Sequence, residues 1–516
     1  MLESDDSIKK IARGTGIALI GMGAGLLCNF VVRLIVARYG LQADYGIFAL
    51  ALVVLNVAVT VAALGLARGT TRYIAYYRGK DDVAKVRITM TASIRLSCIT
   101  SIIIGLAIFF TADTIASRIF HSPELALPLK IFAAGIPFFT LIRLLTAIHR
   151  GFDRIEPAVI FEYMMLNIIF LAFLPIIIAV ALPFVAVFYA YLAALAITFV
   201  VLAVYTVRKL LQRTTATVGK GTQQITRELL LFSLPLMGSA MLGMLIAWTD
   251  TLMLGYFKTP EIVGLYNAAH PLAGFISQPL TALLLIYVPV ATGLYSRNLM
   301  AELRRNYAIL TKWLIFLTLP IFLVLFLYPE EVLKLLFGTA YIPAATALRI
   351  LAVAFIINNL LGPNGATLIA IGHSRLIMWA TLATAILNIA LNILLIPPLG
   401  IVGAAIASAV SVTVVNIVRA TMLYSICRVQ PLSKNLLKPA IVCVPLAFII
   451  QVITKSFLTP TWWMLVVLFV VYLGIYSLAT LFTRSFDRED LTMLLEIEKR
   501  SGMNMASLKK ILRRFL

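Results

Sequence analysis

Apolar residues run in blocks of twenty or more along most of the chain, separated by short polar segments. That block length matches what an α-helix needs to cross about 30 Å of hydrocarbon. The pattern predicts about fourteen membrane spans, at residues 15–37, 45–67, 88–110, 128–148, 158–182, 184–207, 229–254, 262–293, 307–328, 343–370, 377–397, 400–425, 439–455 and 461–483. The first block is followed at once by further spans and lacks a small-residue cleavage site before a soluble domain. It therefore reads as a span rather than a signal peptide.

The pattern also repeats. The segment Gly151–Arg154 after span four has a counterpart, Gly372–Arg375, after span ten, 221 residues later. At the same offset the triplet Leu166–Ile168 meets Leu387–Ile389, each with a central asparagine, Asn167 and Asn388. At 218 residues Tyr45 and Gly46 meet Val263 and Gly264, and Arg33 falls beside Asp250 and Thr251. Six spans per copy make the copies parallel repeats. The expected organisation is a lobe at 15–207, a cytoplasmic linker at 208–228, a second lobe at 229–425, two extra spans at 439–483 and a tail at 484–516.

Loop charge orients this arrangement. Of the 43 Lys and Arg residues, 31 fall in alternate segments that include both termini, and six in the other set. The positive-inside rule then puts both ends in the cytoplasm of a plasma-membrane protein. The same bias accounts for the net charge of +21, so nucleic acid is not an expected partner. Only 13% of residues are charged and 61% are hydrophobic, against about 25% charged in soluble domains. The four cysteines show no CxxC spacing and read as structural thiols, and the four histidines form no metal motif. No cofactor is expected beyond a coupling ion, H+ or Na+. In the tail, Leu508, Ile511, Leu512 and Phe515 share one helical face and Lys509, Lys510, Arg513 and Arg514 the other. That pattern fits the anionic inner leaflet.

Charges inside spans are the candidates for chemistry, because each is costly in hydrocarbon. Lys312, Arg349 and Arg419 lie within about six residues of a span end and are expected to snorkel to headgroups. Arg95 and Arg143 fit either snorkelling or a cavity. Arg33 and Asp250 each lie about five residues short of the outer end of their span, and an aspartate is too short to snorkel. Asp250 must meet water, a cation, a proton or an arginine, with Asn267 and His270 as candidate neighbours. The pair reads either as a structural bridge and gate or as part of a substrate site. Asn167 and Asn388 read as interhelical packing groups.

The run Arg33–Gly40 with Asp44–Gly46, Leu64–Leu66 with Arg72, Asp250 with Met253–Gly255, Val263–Tyr266, and Leu387–Pro397 with Leu399–Ala405 resembles the polysaccharide-transporter (Wzx-like oligosaccharide flippase) branch of the MOP superfamily, which also holds MATE exporters and MurJ flippases. The resemblance covers about Ile8 to Tyr424, together with the two extra spans and the acidic-then-basic tail. It implies an all-α protein of two six-helix lobes in a V around a central cavity, a monomer working by alternating access. It implies a transporter, not an enzyme, that flips a polyprenyl phosphate- or diphosphate-linked oligosaccharide in glycan biosynthesis. Arg33 is then a cavity cation for the phosphate. A cation-coupled drug exporter is the alternative on the same fold. A membrane-embedded glycosyltransferase or polymerase is a weaker alternative, because the outer loops are short and offer no paired catalytic groups.

Overall fold

A bilayer core offers no water to backbone N–H and C=O groups, and helices satisfy them within one segment. In the computed structural model of the chain, residues 21, 23–210, 222–430, 444–452, 467 and 470–478 are described. Their regular structure is entirely helical. Ten of these helices are long and apolar enough to cross a membrane, and eleven when the bent pair Pro260–Leu284 and Tyr287–Ser296 counts as one. The other three expected spans fall on helical residues 23–39, 444–452 and 470–478, which adjoin residues outside the described set. The expected linker is described only at its two ends, and the tail at 484–516 lies outside the described residues.

The chain forms two compact units, Met1–Gly264 and Leu265–Leu516. The first holds α1 (residues 23–39), α2 (Gln42–Ala62), α3 (Leu66–Arg78), α4 (Val83–Thr114), α5 (Ala126–Gly151), α6 (Leu166–Ala179), α7 (Val185–Lys209) and α8 (Thr222–Phe257). Helix α9 (Pro260–Gly274) begins in it. The lobe boundaries at 207 and 229 come from the sequence repeat; in space α8 packs on α2, α3 and α4. An aromatic cluster fills the unit's centre. Phe48 meets Phe132, Phe170, Phe188 and Tyr191 with ring centroids 5.8–6.3 Å apart. Lipid tails are as apolar as these side chains, so close packing, not hydrophobic transfer, holds such a centre together.

The second unit contains α10 (Gln278–Ser296), α11 (Met300–Leu327), α12 (Pro329–Leu336), α13 (Ala345–Leu360), α14 (Asn364–Ala370), α15 (Ser374–Leu399) and α16 (Ile401–Cys427). The two extra segments dock on α11. Ala447, Tyr472 and Tyr476 pack with Ile315, Leu319 and Leu323, and the Tyr476 hydroxyl donates to the Phe316 carbonyl at 2.9 Å.

Three expected spans are broken. The second ends at Ala62 and restarts as α3, because Leu64 and Gly65 adopt left-handed backbone, φ 47° and 70°. Gly65 also abuts the Ser233 carbonyl of α8, where a Cβ would collide. The tenth span splits into α13 and α14 at Gly362 and Pro363, since proline lacks an N–H and disfavours helix before it. The eighth is interrupted by a 3₁₀ turn at Phe275–Ser277 and bends by 46° further on.

A close crossing within the first unit uses Gly46 and Gly264. A Cβ on Gly46 would collide with the Pro260 carbonyl oxygen, and one on Gly264 with the Gln42 carbonyl oxygen. Gly46→Ala or Gly264→Ala is expected to destabilise the unit by about 1–3 kcal/mol, the usual cost of overpacking. Thermal unfolding in detergent measures this against Gly238→Ala, whose Cβ meets nothing within 4 Å. An unchanged midpoint in the first two variants would refute the crossing.

Candidate functional site

Arg33 lies on α1, half-buried, and its Nε donates to Asn29 Oδ1 at 3.0 Å, one turn earlier on the same face. Asn29 Nδ2 donates to Asn167 Oδ1 at 3.3 Å, and Asn167 Nδ2 donates to the Tyr163 carbonyl at 2.8 Å. The guanidinium also reaches the hydroxyl of buried Tyr45. Two amides in series thus tie the arginine to the backbone of a neighbouring segment. Arginine carries five N–H donors, and its fork fits phosphate in a bidentate fashion.

Arg143 on α5 is held in the same manner. Its Nη2 donates to Asn56 Oδ1 at 3.1 Å, its Cζ lies 4.5 Å from the Phe139 ring centroid, and Asn56 Nδ2 is fixed on the Leu52 carbonyl at 2.8 Å. One turn along α5, Thr146 Oγ1 donates to Glu162 Oε2 at 3.1 Å. Glu162 sits in a π-helical stretch, Ala158–Met165, whose wider turn re-aims side chains relative to an α-helix. Arg33 and Arg143 both act electrostatically on Tyr191, at the edge of the aromatic cluster. The first unit therefore gathers two cations, a carboxylate, several amides and tyrosine hydroxyls within apolar helices.

Asp250 is 6% exposed on α8. Thr60 Oγ1 donates to Met244 Sδ at 3.0 Å and Gly255 abuts Leu50, so α8 runs antiparallel to α2 with Asp250 beside the stretch between Leu50 and Thr60. Arg33 and Asp250 thus belong to one compact unit, although the repeat assigns them to different lobes. Arg95 is exposed on α4. Asn267, buried, and His270, flanked by the Tyr266 and Phe355 rings at 5.6 and 6.1 Å, belong to the second unit.

Two readings change. Asn167 does more than pack, because it positions the asparagine that positions Arg33. Lys312 does not snorkel: it is 3% exposed, on the side of α11 that packs against the second unit. Arg349 and Arg419 also have protein partners, Glu330 at 2.9 Å and Thr381 Oγ1 at 2.9 Å. Asn29 was detectable as an amide four residues before an in-span arginine, and Glu162 carried the same signal as Asp250. Tyr45 and Tyr191 carried none, because other helices bring them in.

A family model for polysaccharide biosynthesis proteins matches residues 11–295. The chain belongs to this family. A relative within reach is a probable low-salt glycan biosynthesis flippase, Agl15 of Haloferax volcanii, 28% identical over 36% of this chain. The match spans only 39% of that protein's own length. The solved lipid II flippase MurJ, in an inward closed conformation, superimposes with TM-score 0.71 at 13% identity, covering 92% of this chain and 99% of that one. An inward-facing multidrug resistance MATE transporter of the MOP superfamily gives 0.67 at 19%, covering 81% and 99%. This member of the polysaccharide biosynthesis family is thus a multi-pass membrane protein with the MurJ and MATE fold.

If Asn29 orients Arg33, their effects on stability will not add. A double-mutant cycle of Asn29→Ala and Arg33→Ala, read by thermal unfolding, is expected to give a coupling of about 0.5–3 kcal/mol. Strict additivity would remove the orienting role.

Proposed function

We propose that the chain flips an oligosaccharide linked to polyprenyl phosphate or diphosphate from the cytoplasmic to the outer leaflet of the plasma membrane, by alternating access. The observation that carries this reading is the pair Arg33 and Arg143, each held within apolar helices by an amide oxygen. An amide accepts a hydrogen bond without neutralising the cation, so the charge is available to an anionic head group. Family membership and the flippase names among its relatives support the same reading. In this mechanism Arg33 and Arg143 bind the phosphate, and Asp250 takes up Arg33 as a gate in the alternate conformation, after the head group has left. Arg95, on α4 of the same unit, is assigned an accessory contact. The protein acts as a transporter without covalent chemistry, with both termini cytoplasmic.

A drug exporter is the second reading, favoured by the carboxylates of Asp250 and Glu162, which suit a cationic cargo. Proteoliposomes decide between them. The wild-type chain is expected to translocate a fluorescent polyprenyl-diphosphate sugar and not a cationic dye, and dye efflux without lipid movement would reverse the assignment. Arg33→Ala and Arg143→Ala are each expected to lower lipid translocation by roughly a factor of ten or more while leaving the protein folded, the scale of a lost charge-assisted contact. Normal transport in both variants would sink the cationic site.

A further inference from the structure

Helix α3 is not a span, and one of its faces is unclaimed by the mechanism above. Its buried side, Leu66, Gly69, Thr70, Ile74 and Tyr77, packs on α4, α5 and α8. The opposite side presents Arg68, Arg72 and Tyr76, and Lys80 follows just past the helix end, at intervals of four residues. At 1.5 Å rise per residue these positions form a ridge about 18 Å long.

Two observations set this ridge apart from ordinary positive-inside charge. First, neighbouring cations off the ridge have carboxylate partners: Arg78 with Asp153, and Lys85 with Asp82 at 3.0 Å. Among the described residues Arg68, Arg72 and Lys80 have no ion-pair partner; Arg72 instead lies 4.2 Å from the Phe232 ring centroid, and Lys80 Nζ lies 4.5 Å from that of Tyr76. These contacts order the cations without neutralising them. Second, the only large apolar side chain exposed on α3 is Tyr76, 51% exposed. A helix that lies in a bilayer surface buries an apolar face in lipid. Here that face is taken by protein, and the exposed side is cationic.

We propose that the Arg68–Arg72–Tyr76–Lys80 ridge is a docking site for the phosphate-and-sugar head of the lipid-linked substrate, which it holds before the head reaches Arg33. The cations take the phosphate oxygens, and Tyr76 offers its ring and hydroxyl to the sugar. The Lys80 ammonium beside Tyr76 holds its hydroxyl below the usual phenol range, which makes it a better hydrogen-bond donor. This inference rests on the flippase reading and adds a second subsite to it.

The test uses the full chain in liposomes and a fluorescent chitobiose linked through diphosphate to a farnesyl chain. Arg68→Gln/Arg72→Gln is expected to raise the KM for translocation roughly tenfold, for two lost charge-assisted contacts, with little change in the maximal rate. Arg33→Ala is expected to lower the maximal rate instead. Arg78→Gln removes one charge beside the ridge and is expected to leave KM unchanged. An unchanged KM in the double variant, or an equal rise in Arg78→Gln, overturns the ridge while the flippase reading stands. So does an effect seen with phosphatidylglycerol in the vesicles and absent in pure phosphatidylcholine, which would mark the ridge as a contact for bulk anionic lipid. If the double variant does not fold, the single variants Arg68→Gln and Arg72→Gln carry the same comparison. A folded wild-type chain that moves no probe at all overturns the flippase reading, and the ridge with it.

Discussion

An arginine in hydrocarbon costs several kcal/mol unless its donors are occupied, and the first unit is arranged around meeting that cost without cancelling the charge. Arg33 is tied through Asn29 and Asn167 to the Tyr163 carbonyl, and Arg143 through Asn56 to α2. A carboxylate in either place would satisfy the donors more strongly and would also neutralise the group. Amides keep the cation oriented and charged, the condition a phosphate-binding group needs. The carboxylate at hand, Glu162, accepts from Thr146.

The helices that bring these groups together are held by contacts that need small residues. Gly46 and Gly264 let α2 and the start of α9 touch backbone to backbone, and Gly65 lets the break after α2 seat against α8. Close approach matters more here than in water, because apolar side chains gain little by leaving lipid for protein. The same break separates α3, with its basic ridge, from α2. A change at Gly65 would therefore reach both the packing of α8 and the placement of Arg68 and Arg72.

Arg33 stood out in the sequence because an unpaired charge in an apolar block is rare, and Asn29 could have been added from its four-residue spacing. Which residues of α2, α5 and α7 join Arg33 in the first unit could not be read in advance. Arg143, Asn56 and Tyr191 come from helices whose order in space no local pattern encodes. Lys312 shows the same limit from the other side. Its distance from the span end suggested snorkelling, but whether a helix face looks to lipid or to protein depends on its neighbours, and the Lys312 side of α11 meets protein.

Hydrophobic block length determined that this is an all-helical multi-pass membrane protein, since it follows from the chemistry of single segments in a bilayer. The sequence also marked Arg33 and Asp250 as costly. Tertiary structure alone decided that Asn29 and Asn56 hold Arg33 and Arg143, that Asn167 serves an arginine, and that Arg68, Arg72 and Lys80 are exposed beside cations that are paired. Those facts depend on which helices pack together and at what rotation, and in an apolar chain many rotations bury nearly equal area. The choice falls to a few glycine contacts and amide hydrogen bonds between residues far apart in the chain.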